Sequence, residues 1–339
     1  MTRQIEITPA SSVYVGSATE LLPRLLPDSN VIVVTDSNIE HNHPELILPY
    51  KHIVINPGEI SKSLATIEHI CSRLVEMGAD RTTFIVGIGG GVVTDIAGFV
   101  AAIYMRGIRC GYVSTSLLGM VDASVGGKNG VNIGGYKNMV GTFRQPEFVV
   151  CDIALLSTLP DREFRSGIAE IIKTAIISDT ELFGQLERNN IISLRNNTSL
   201  LAHIVERAIA LKAHVVVQDE CEAGLRRILN FGHTLAHAIE KSCPNYNHGE
   251  AVAMGMYHMS LVAERRGRLA AAECSRICRL IEQYGFTTTL PSDTKSLLDI
   301  VRTDKKRAGQ TLHIILPSSI GSVEVQSIDI DNLNKELEL

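Results

Sequence analysis

The first half of the chain alternates short apolar runs with stretches of helical spacing. Residues 31–34 and 53–55 are continuous apolar runs of the kind found in buried strands, and residues 83–88 form a third. The apolar positions of residues 61–77 recur instead with the spacing of an amphipathic helix. This alternation predicts a parallel sheet with crossover helices.

Strand signals almost disappear after about residue 155. A helical stretch opens at Pro160 and Asp161, and helical spacing returns over residues 201–217 and from residue 252 to about residue 284. We therefore predict an α/β N-terminal dinucleotide-binding domain with a parallel, Rossmann-like sheet over residues 1–155. A mostly α-helical domain is predicted over residues 156–339.

Composition limits the classes of function. A chain of 339 residues with 45% hydrophobic residues can bury a large core, and it has no low-complexity run that would indicate disorder. Its formal net charge of -5 argues against a nucleic-acid partner, because such proteins usually present a basic face. Any anionic ligand must therefore be bound by a local cluster of basic groups.

Membrane insertion and secretion are not expected. The apolar run at residues 84–105 contains Thr94, Asp95 and three consecutive glycines, so it predicts a buried strand, a turn and a helix rather than a membrane span. The N-terminal residues MTRQIEITPA lack the apolar segment of a secretory signal. The seven scattered cysteines indicate reduced core thiols in a cytoplasmic protein.

A glycine loop follows the strand predicted at residues 83–88. Residues 89–91 are all glycine, and they lead into an apolar helix that carries Asp95. Such a loop lets the backbone approach a pyrophosphate, and the helix N-terminus offers N–H groups and a positive dipole end. The strict G-x-G-x-x-G pattern fails, because Val92 occupies the last glycine position counted from Gly87. A purely structural turn is the alternative.

Neighbouring strand ends carry polar side chains. Asp36 directly follows the first strand, where a carboxylate is well placed to accept hydrogen bonds from ribose hydroxyls. Glu59 and Lys62 follow the second, and Thr115 and Ser116 supply hydroxyls at a later one. Ligands of parallel sheets bind beyond the carboxyl ends of the strands, so these residues favour a nucleotide site.

Polar and basic side chains alternate with glycines over residues 122–144. Asp122, Lys128, Lys137 and Asn138 are spaced in this way, and Arg106 precedes them. A solvated loop is the ordinary explanation for any one of the lysines. Alternation with glycine, rather than a basic helix face, favours recognition of an anion.

Three histidines lie within residues 230–250. His233 and His237 are one helical turn apart, so their rings project from the same face and can converge on one ion or one anion, while His248 follows in a His-Gly-Glu sequence. A histidine pair with a distant carboxylate would meet the ligand count of a catalytic zinc. Ordinary hydrogen-bonded histidines are the alternative.

The helix predicted after residue 160 carries a candidate carboxylate. Glu170 and Lys173 share one face of an otherwise apolar stretch, where charges are costly unless they are paired or bind a ligand. A partly buried ion pair is the alternative to a ligand-binding role.

Together these motifs resemble the 3-dehydroquinate synthase family over nearly the whole chain. The segments that carry the resemblance are, in order, PGEISKS, GGGVVTDIAGFVAAIYMRG, STSLLGMVDASVGGKNGVN, YKNMVGTFRQP, SGIAEIIKT, LRRILNFGHTLAHAIE and HGEAVAMG. All seven segments occur in the same order as in the family, which makes the resemblance specific. The family's fold, an α/β dinucleotide-binding domain followed by a helical domain, agrees with the predicted division.

The resemblance implies two cofactors. A divalent metal, zinc or alternatively Co2+, is implied to bind Glu170, His233 and His248, which leaves His237 to face the substrate. NAD is implied to bind residues of the strand ends and the loops that follow them. These are Asp36, Asn38, Glu59, Lys62, Gly89, Gly90, Gly91, Val92, Asp95, Thr115, Ser116, Lys128 and Lys137.

The implied substrate is a seven-carbon sugar acid phosphate, 3-deoxy-D-arabino-heptulosonate 7-phosphate. The resemblance implies that Arg226 binds the carboxylate of this substrate. It also implies a homodimer in which Arg106 reaches the neighbouring subunit's site. The residues implied at its phosphate are Lys128, Asn138, Asn230, His237 and either Lys305 or Lys306. The residues implied around its ring hydroxyls, which with His237 form the catalytic set, are Asp122, Lys173 and Lys212.

The implied reaction belongs to the shikimate pathway and uses NAD without consuming it. It comprises transient oxidation of the substrate, β-elimination of phosphate, re-reduction, ring opening and an intramolecular aldol closure that gives 3-dehydroquinate. The chain departs from the family's pattern at Thr94 and Ala236, where glycine is common, and at Gly119-Met120, where Ala-Gln is more usual.

Three other functions are alternatives to this one. A related cyclase such as 2-deoxy-scyllo-inosose synthase acts on glucose 6-phosphate, which has no carboxylate for Arg226 to bind. A metal-dependent polyol dehydrogenase would release reduced cofactor and would leave Lys128 and Asn138 without a phosphate. A nucleotide-binding regulatory protein that has lost catalysis would not need the residues implied as metal ligands.

Overall fold

A computed structural model describes residues 2–222, 224–292, 294–305 and 311–337. The chain forms two compact units, a first unit of Met1–Phe164 with Leu201–Val217 and a second unit of Arg165–Leu200 with Gln218–Leu339. The domain boundary between residues 155 and 156 stays a prediction.

The strands of both units, in chain order, are β1 (Arg3–Thr8), β2 (Ser11–Val15), β3 (Val31–Asp36), β4 (Lys51–Ile55), β5 (Phe84–Gly89), β6 (Arg109–Ser114), β7 (Lys128–Ile133), β8 (Tyr136–Phe143), β9 (Phe148–Cys151), β10 (Thr311–Ser319) and β11 (Ser322–Asp329). The helices are α1 (Ala18–Leu25), α2 (Ser37–Asn42), α3 (Pro44–Ile47), α4 (Leu64–Glu76), α5 (Gly91–Ile103), α6 (Asp161–Ser178), α7 (Thr180–Glu187), α8 (Ile191–Asn196), α9 (Thr198–Gln218), α10 (His233–Ser242), α11 (His248–Arg265), α12 (Ala271–Gln283), α13 (Thr294–Lys305) and α14 (Leu333–Leu337).

The first unit contains a sheet in the strand order β1-β2-β9-β6-β5-β3-β4. All neighbouring strands are parallel except β1 and β2, so the predicted parallel sheet is confirmed. The three predicted strands are β3, β4 and β5. Their apolar runs are continuous because both faces of these strands are buried, as adjacent residues Val33 and Val34, and Phe84 and Ile85, show with no exposed surface.

A second, smaller sheet in the first unit was not predicted. Residues 128–143, which the sequence places in a glycine-rich segment with sharp turns, form the antiparallel hairpin of β7 and β8. Gly134 and Gly135 close it with positive φ angles of 58° and 79°. Glycines within both strands hid the alternation of buried and exposed positions, since a strand glycine provides no apolar side chain to read.

The second unit is largely helical, as predicted. The helical signal from residue 252 to about 284 belongs to two helices, α11 and α12, which separate at Gly267 with a φ of 65°. The apolar run at residues 312–316 lies in the antiparallel hairpin of β10 and β11. The helical character of this half is therefore confirmed, with one hairpin added.

The apolar run at residues 84–105 forms β5, a turn and α5, as predicted. Within the described part of the chain, no helix combines the length and apolarity needed to cross a bilayer. All seven cysteines are free. Cys110, Cys151, Cys274 and Cys278 are buried, as expected of core thiols, but Cys71 and Cys243 are only partly buried and Cys221 is exposed.

Candidate active site

Three helices of the second unit bring a carboxylate and two imidazoles together. Glu170 lies on α6, and His233 and His248 are the first residues of α10 and α11. One ligand atom from each of the three lies within 4.8 Å of the others. Oε1 of Glu170 lies 3.4 Å from Nε2 of His248 and 3.9 Å from Nε2 of His233.

Close backbone contacts fix these helices against one another. A Cβ on Gly249 would lie 2.4 Å from Cα of Ser166, so only glycine lets the start of α11 approach α6. The Gly249 amide also donates a 3.0 Å hydrogen bond to Oγ of Ser166. A Cβ on Gly255 would lie 2.0 Å from the carbonyl oxygen of Gly232, the residue before α10. These contacts position all three candidate ligands.

The rings of both histidines are oriented through Nδ1. Nδ1 of His233 lies 3.2 Å from the carbonyl oxygen of Phe231, which can accept its proton and leave Nε2 for a metal. Nδ1 of His248 lies 3.5 Å from Oε1 of Glu240. Glu240 was not identified from the sequence, although its position on the same helix face as His233 was an available signal.

Burial and neighbouring charges shift the pKa values of His233 and His248 in opposite directions. Burial, reinforced by the nearby positive charge of Lys173, lowers the pKa of His233 to about 3. Burial also opposes protonation of His248, but hydrogen bonds to the carboxylates of Glu170 and Glu240 outweigh it and raise its pKa to about 10. His233 is therefore held neutral, whereas the two carboxylates favour a positive charge on His248.

The donor set fits a divalent metal. Two imidazole nitrogens and one carboxylate oxygen are the ligands of a catalytic zinc that keeps a further position open. The Glu170 side chain is only 1% exposed, so its negative charge needs compensation, and Nζ of Lys173 pairs with Oε2. The prediction that Glu170 and Lys173 share a helix face is confirmed, because the two side chains form an ion pair.

His237 lies beside the cluster. Its ring centroid is 5.6 Å from that of His233, in an edge-on arrangement. The spacing of His233 and His237 left open whether the pair shares one ion, and the structure joins His233 with Glu170 and His248 instead. The role of His237 toward a substrate stays a prediction.

A buried arginine lies in the loop before α10. Arg226 is 2% exposed, and its Nη1 donates a 2.5 Å hydrogen bond to the carbonyl oxygen of Glu220. Its backbone amide donates to Oδ2 of Asp219 at 2.9 Å. Asn230 donates through Nδ2 to Oε1 of Glu222. Glu222 was also missed, although it belongs to an acidic run four residues before Arg226.

In the first unit, the predicted nucleotide-binding residues gather at one edge of the sheet. Strands β6, β5, β3 and β4 are parallel neighbours, so their carboxyl ends meet. The residues at or just after these ends are Thr115 and Ser116, Gly89, Gly90, Gly91 and Val92, Asp36 and Asn38, and Glu59 and Lys62. Parallel sheets bind ligands at this edge.

The glycine loop fits a pyrophosphate. Gly90 caps α5 without placing a side chain over the helix N-terminus, and residues 90–92 are partly exposed. A Cβ on Gly90 would lie 3.2 Å from Oγ of Ser116, so a larger residue would crowd this loop. The amide of Thr115 donates to the carbonyl oxygen of Gly89 at 3.0 Å and holds the neighbouring strand end in place.

Lys62 connects several of the predicted residues. Its side chain is 6% exposed, and Nζ donates to Oδ2 of Asp95 and to Oδ1 of Asn138, both at 2.5 Å. Burial raises the pKa of Asp95 to about 6, although the charge of Lys62 opposes this. Asn132, which the sequence did not single out, donates to Oε1 of Glu59 at 2.8 Å and accepts from the amide of Asn138 at 2.9 Å.

Asp36 has a structural task at the end of β3. Its Oδ1 caps α2 by accepting hydrogen bonds from the amides of Asn38 at 2.9 Å and Ile39 at 3.1 Å. Burial raises the pKa of the carboxyl group, and these hydrogen bonds oppose that shift. Its contact with ribose hydroxyls stays a prediction.

Asp122 and Lys212 form a further ion pair within the first unit. Asp122 lies in the π-helical turn Gly119–Ala123, and Lys212 lies on the part of α9 that belongs to this unit. Nζ of Lys212 donates to the carbonyl oxygen of Asp122 at 2.5 Å and to its Oδ1 at 2.6 Å. The structure therefore joins two residues of the predicted catalytic set.

The remaining predicted residues occupy surface positions or lie outside the described residues. Lys128 and Lys137 are exposed on the hairpin of β7 and β8, and Arg106 is exposed with a φ of 68°. Lys306 lies outside the described residues. Lys305 ends α13, but its side chain lies outside the described part of the chain.

Local packing accounts for two departures from the family's pattern. A Cβ on Gly119 would lie 2.3 Å from Oγ of Ser114, so this glycine accommodates that serine. Thr94 is buried, and its hydroxyl donates to the carbonyl oxygen of Gly91 at 3.1 Å. Ala236 is fully buried. All three positions are therefore buried or closely packed.

Comparisons with known proteins agree on one family. The sequence model described as 3-dehydroquinate synthase N-terminal matches residues 52–166, and the one described as 3-dehydroquinate synthase C-terminal matches residues 167–307. The 3-dehydroquinate synthase of Dictyoglomus thermophilum is 42% identical, over 84% of this chain and 79% of that protein. That of Alkaliphilus metalliredigens is 40% identical, over 92% of this chain and 91% of that protein.

Solved structures of related cyclases share the fold. One is 2-epi-5-epi-valiolone synthase from Streptomyces hygroscopicus subsp. jinggangensis with NAD+ and Zn2+ bound, 28% identical, with a TM-score of 0.85 and coverage of 96% of this chain and 95% of that one. Another is 2-deoxy-scyllo-inosose synthase complexed with carbaglucose-6-phosphate, NAD+ and Co2+, 25% identical, with a TM-score of 0.85 and coverage of 99% of both chains.

Proposed function

Because this chain belongs to the 3-dehydroquinate synthase family, we propose that it converts 3-deoxy-D-arabino-heptulosonate 7-phosphate into 3-dehydroquinate and inorganic phosphate. The enzyme is a carbon-oxygen lyase that depends on NAD and on a divalent metal. The observation that carries the proposal is the convergence of Glu170, His233 and His248 in a chain that matches both halves of this family.

The donor sets described above support both cofactors. Glu170, His233 and His248 would hold zinc or Co2+, and the glycine loop with Asp36, Asn38, Glu59, Lys62 and Asp95 would hold NAD. When bound, the metal polarises a substrate hydroxyl, while NAD accepts a hydride and later returns it. No net reduced cofactor is therefore produced.

Arg226 supplies the recognition of an acid. Arg226 is 2% exposed, and its guanidinium is held in place by the carbonyl oxygen of Glu220, so its donors are oriented before a ligand arrives. A buried cation of this kind binds a substrate carboxylate more strongly than an exposed one, because water competes less. Asn230 and His237 are proposed to contact the substrate phosphate.

Two buried lysines supply proton transfer and charge. Lys173 pairs with Glu170, so its ammonium lies beside a proposed metal ligand and can stabilise negative charge on a substrate oxygen. Lys212 is held against Asp122, and this pair can hold or move a proton at Nζ. The roles implied for Lys128, Asn138 and the lysine pair at 305–306 remain part of the proposal.

We propose that the protein is a cytoplasmic homodimer. Met105, Met139 and Phe143 are exposed by 43%, 63% and 54%, so three large apolar side chains of the first unit are available for contact with a second copy of the chain. Arg106 follows Met105 in the left-handed backbone region, with φ angles of 68° and 49°. Arg106 is exposed, as contact with a neighbouring subunit requires.

Substrate discrimination tests the proposal against the nearest rival. A cyclase for a sugar phosphate without a carboxylate, such as glucose 6-phosphate, gains nothing from Arg226. Purified protein supplied with NAD and zinc should release phosphate from the heptulosonate and not from glucose 6-phosphate. Phosphate release from glucose 6-phosphate alone would assign the chain to the rival activity.

A further inference from the structure

Glu240 is a buried carboxylate next to the proposed metal site. It lies on α10 seven residues after His233, so the two share a helix face two turns apart. Its side chain is 5% exposed. A carboxylate is rarely buried to this degree unless charged or hydrogen-bonding groups compensate it.

Glu240 contacts the ring nitrogen of His248 that is turned away from the cluster. Its Oε1 lies 3.5 Å from Nδ1 of His248, whereas Nε2 of the same ring lies 3.4 Å from Oε1 of Glu170. A neutral imidazole carries its proton on one nitrogen only. An acceptor at Nδ1 therefore favours the tautomer whose Nε2 lone pair faces a metal.

We propose that Glu240 is a positioning residue for the metal site, because its carboxylate accepts the Nδ1 proton of His248 and fixes both the ring and its tautomer. The inference rests on the proposed function, since it assumes that Glu170, His233 and His248 bind a divalent ion. Glu240 acts through His248, and it is not counted among the ligands.

The ring orientations of His233 and His248 depend on neighbouring side chains to different degrees. The Nδ1 atom of His233 contacts the carbonyl oxygen of Phe231, a backbone group present whatever the side chain. The His233 side chain is 11% exposed and that of His248 is 28% exposed, so packing confines the second ring less. The orientation of His248 therefore relies more on the Glu240 contact.

An ion pair that only ties α10 to α11 would also explain a buried Glu240. This structural role would change the free energy of unfolding without changing metal affinity in the folded protein. The positioning role predicts instead a clear loss of metal affinity in the folded protein, because a ligand that is no longer oriented weakens the metal complex directly. Metal affinity and unfolding therefore have to be measured separately.

The deciding experiment compares Glu240→Gln and Glu240→Leu with the wild type. Metal-free protein is titrated with zinc against a chromophoric chelator, and the absorption spectrum of the Co2+ form is recorded. Glu240→Leu should bind zinc about 10–100-fold more weakly. Glu240→Gln should lose at least about threefold, because a neutral amide is a weaker acceptor than a carboxylate. The Co2+ bands should shift in both variants.

Glu250→Gln is the matched control. Glu250 lies in the first turn of α11, as His248 does, and its Oε2 accepts a 2.9 Å hydrogen bond from the amide of Asn247 in a capping box. It does not contact the His248 ring through that bond. The control should lower the unfolding temperature and leave zinc affinity unchanged.

The outcomes separate this inference from the proposed function. If Glu240→Gln is folded and binds zinc as tightly as the wild type, with an unchanged Co2+ spectrum, the positioning role is wrong. Glu240→Gln decides the question even if Glu240→Leu does not fold. If the wild type binds no zinc, or if His233→Ala binds it equally well, the metal site of the proposed function fails instead.

Discussion

His233 and His248 differ in the proton that each holds before a metal binds. The pKa of His233 is lowered to about 3 by burial and by Lys173, so its ring is neutral at pH 7. The pKa of His248 is raised to about 10 by Glu170 and Glu240 despite burial, so its ring is protonated at that pH. Only one of the two is ready to bind a metal.

Metal binding should consequently release a proton from His248. Over about pH 6.5–8.5 the release of about one proton makes zinc affinity rise about tenfold per pH unit. Calorimetry in buffers with different ionisation enthalpies measures the proton number, and chelator competition measures the affinity. An affinity that does not change with pH would contradict the assigned protonation.

Replacing Arg226 by lysine should impair recognition of the substrate carboxylate. Lysine has one charged nitrogen in place of the guanidinium fork, so kcat/KM for the acid substrate should fall about 100-fold. Steady-state kinetics measure the loss. Arg227→Lys is the control, because Arg227 contacts Nε2 of His313 at 3.0 Å rather than the Arg226 loop partners. Equal effects of the two changes would remove the assigned role.

Sequence reasoning located individual side chains better than it located their partners. The helical spacing of His233 and His237 was sufficient to mark a site, because neighbours on one helix follow from periodicity. The convergence of His248 and Glu170 with His233 depends on how three helices pack, which residue spacing does not specify. The family resemblance supplied that ligand set, while Glu240, Glu222 and Asn132 were missed because their partners are set by tertiary packing.

At the scale of elements, the regular patterns were predicted and the irregular ones were not. Strands β3, β4 and β5 are continuous apolar runs, and α4 and α10 have clear helical periodicity, so each was found. The hairpin of β7 and β8 contains glycines at Gly130 and Gly141, which sit where a Cβ would lie 2.9 Å and 2.2 Å from the partner strand's backbone. Close backbone approach selects glycine there and removes the strand signal from the sequence.

The packing of α11 on α6 makes Gly249 a test of how the ligands converge. Gly249→Ala should destabilise the protein by about 1–3 kcal/mol, because the new methyl group overlaps the backbone of Ser166. It should also weaken zinc binding, since it moves His248 away from Glu170. Chemical unfolding and chelator competition measure the two effects.

Gly184→Ala provides the matched control within the second unit. Gly184 lies inside α7, and a Cβ there would lie 3.3 Å from Nη1 of Arg188, the end of a flexible side chain. Alanine should raise the free energy of unfolding by about 0.5–1 kcal/mol and leave zinc affinity unchanged. Zinc binding that stays at the wild-type level in Gly249→Ala would show that this helix contact does not set the ligand geometry.

At the scale of the whole molecule, the proposed dimer makes Arg106 a residue of the neighbouring subunit's site. Arg106→Ala and His233→Ala should each be inactive alone. A mixed dimer would contain one site with an intact His233 and an intact Arg106 from its partner, so an equimolar mixture should recover about a quarter of wild-type activity. Activity after subunit exchange is the measurement. No recovery in verified mixed dimers would place Arg106 in its own subunit's site or outside the site.

The central claim is that a metal bound by Glu170, His233 and His248 supports a reaction in which NAD is regenerated. The most direct measurement supplies metal-stripped protein with 3-deoxy-D-arabino-heptulosonate 7-phosphate and NAD, adds zinc, and follows phosphate and absorbance at the NADH band together. Phosphate should appear only after zinc is added, in equal amount to the substrate consumed and without accumulation of NADH. Steady NADH accumulation without phosphate, or full activity of His233→Ala, would contradict the claim.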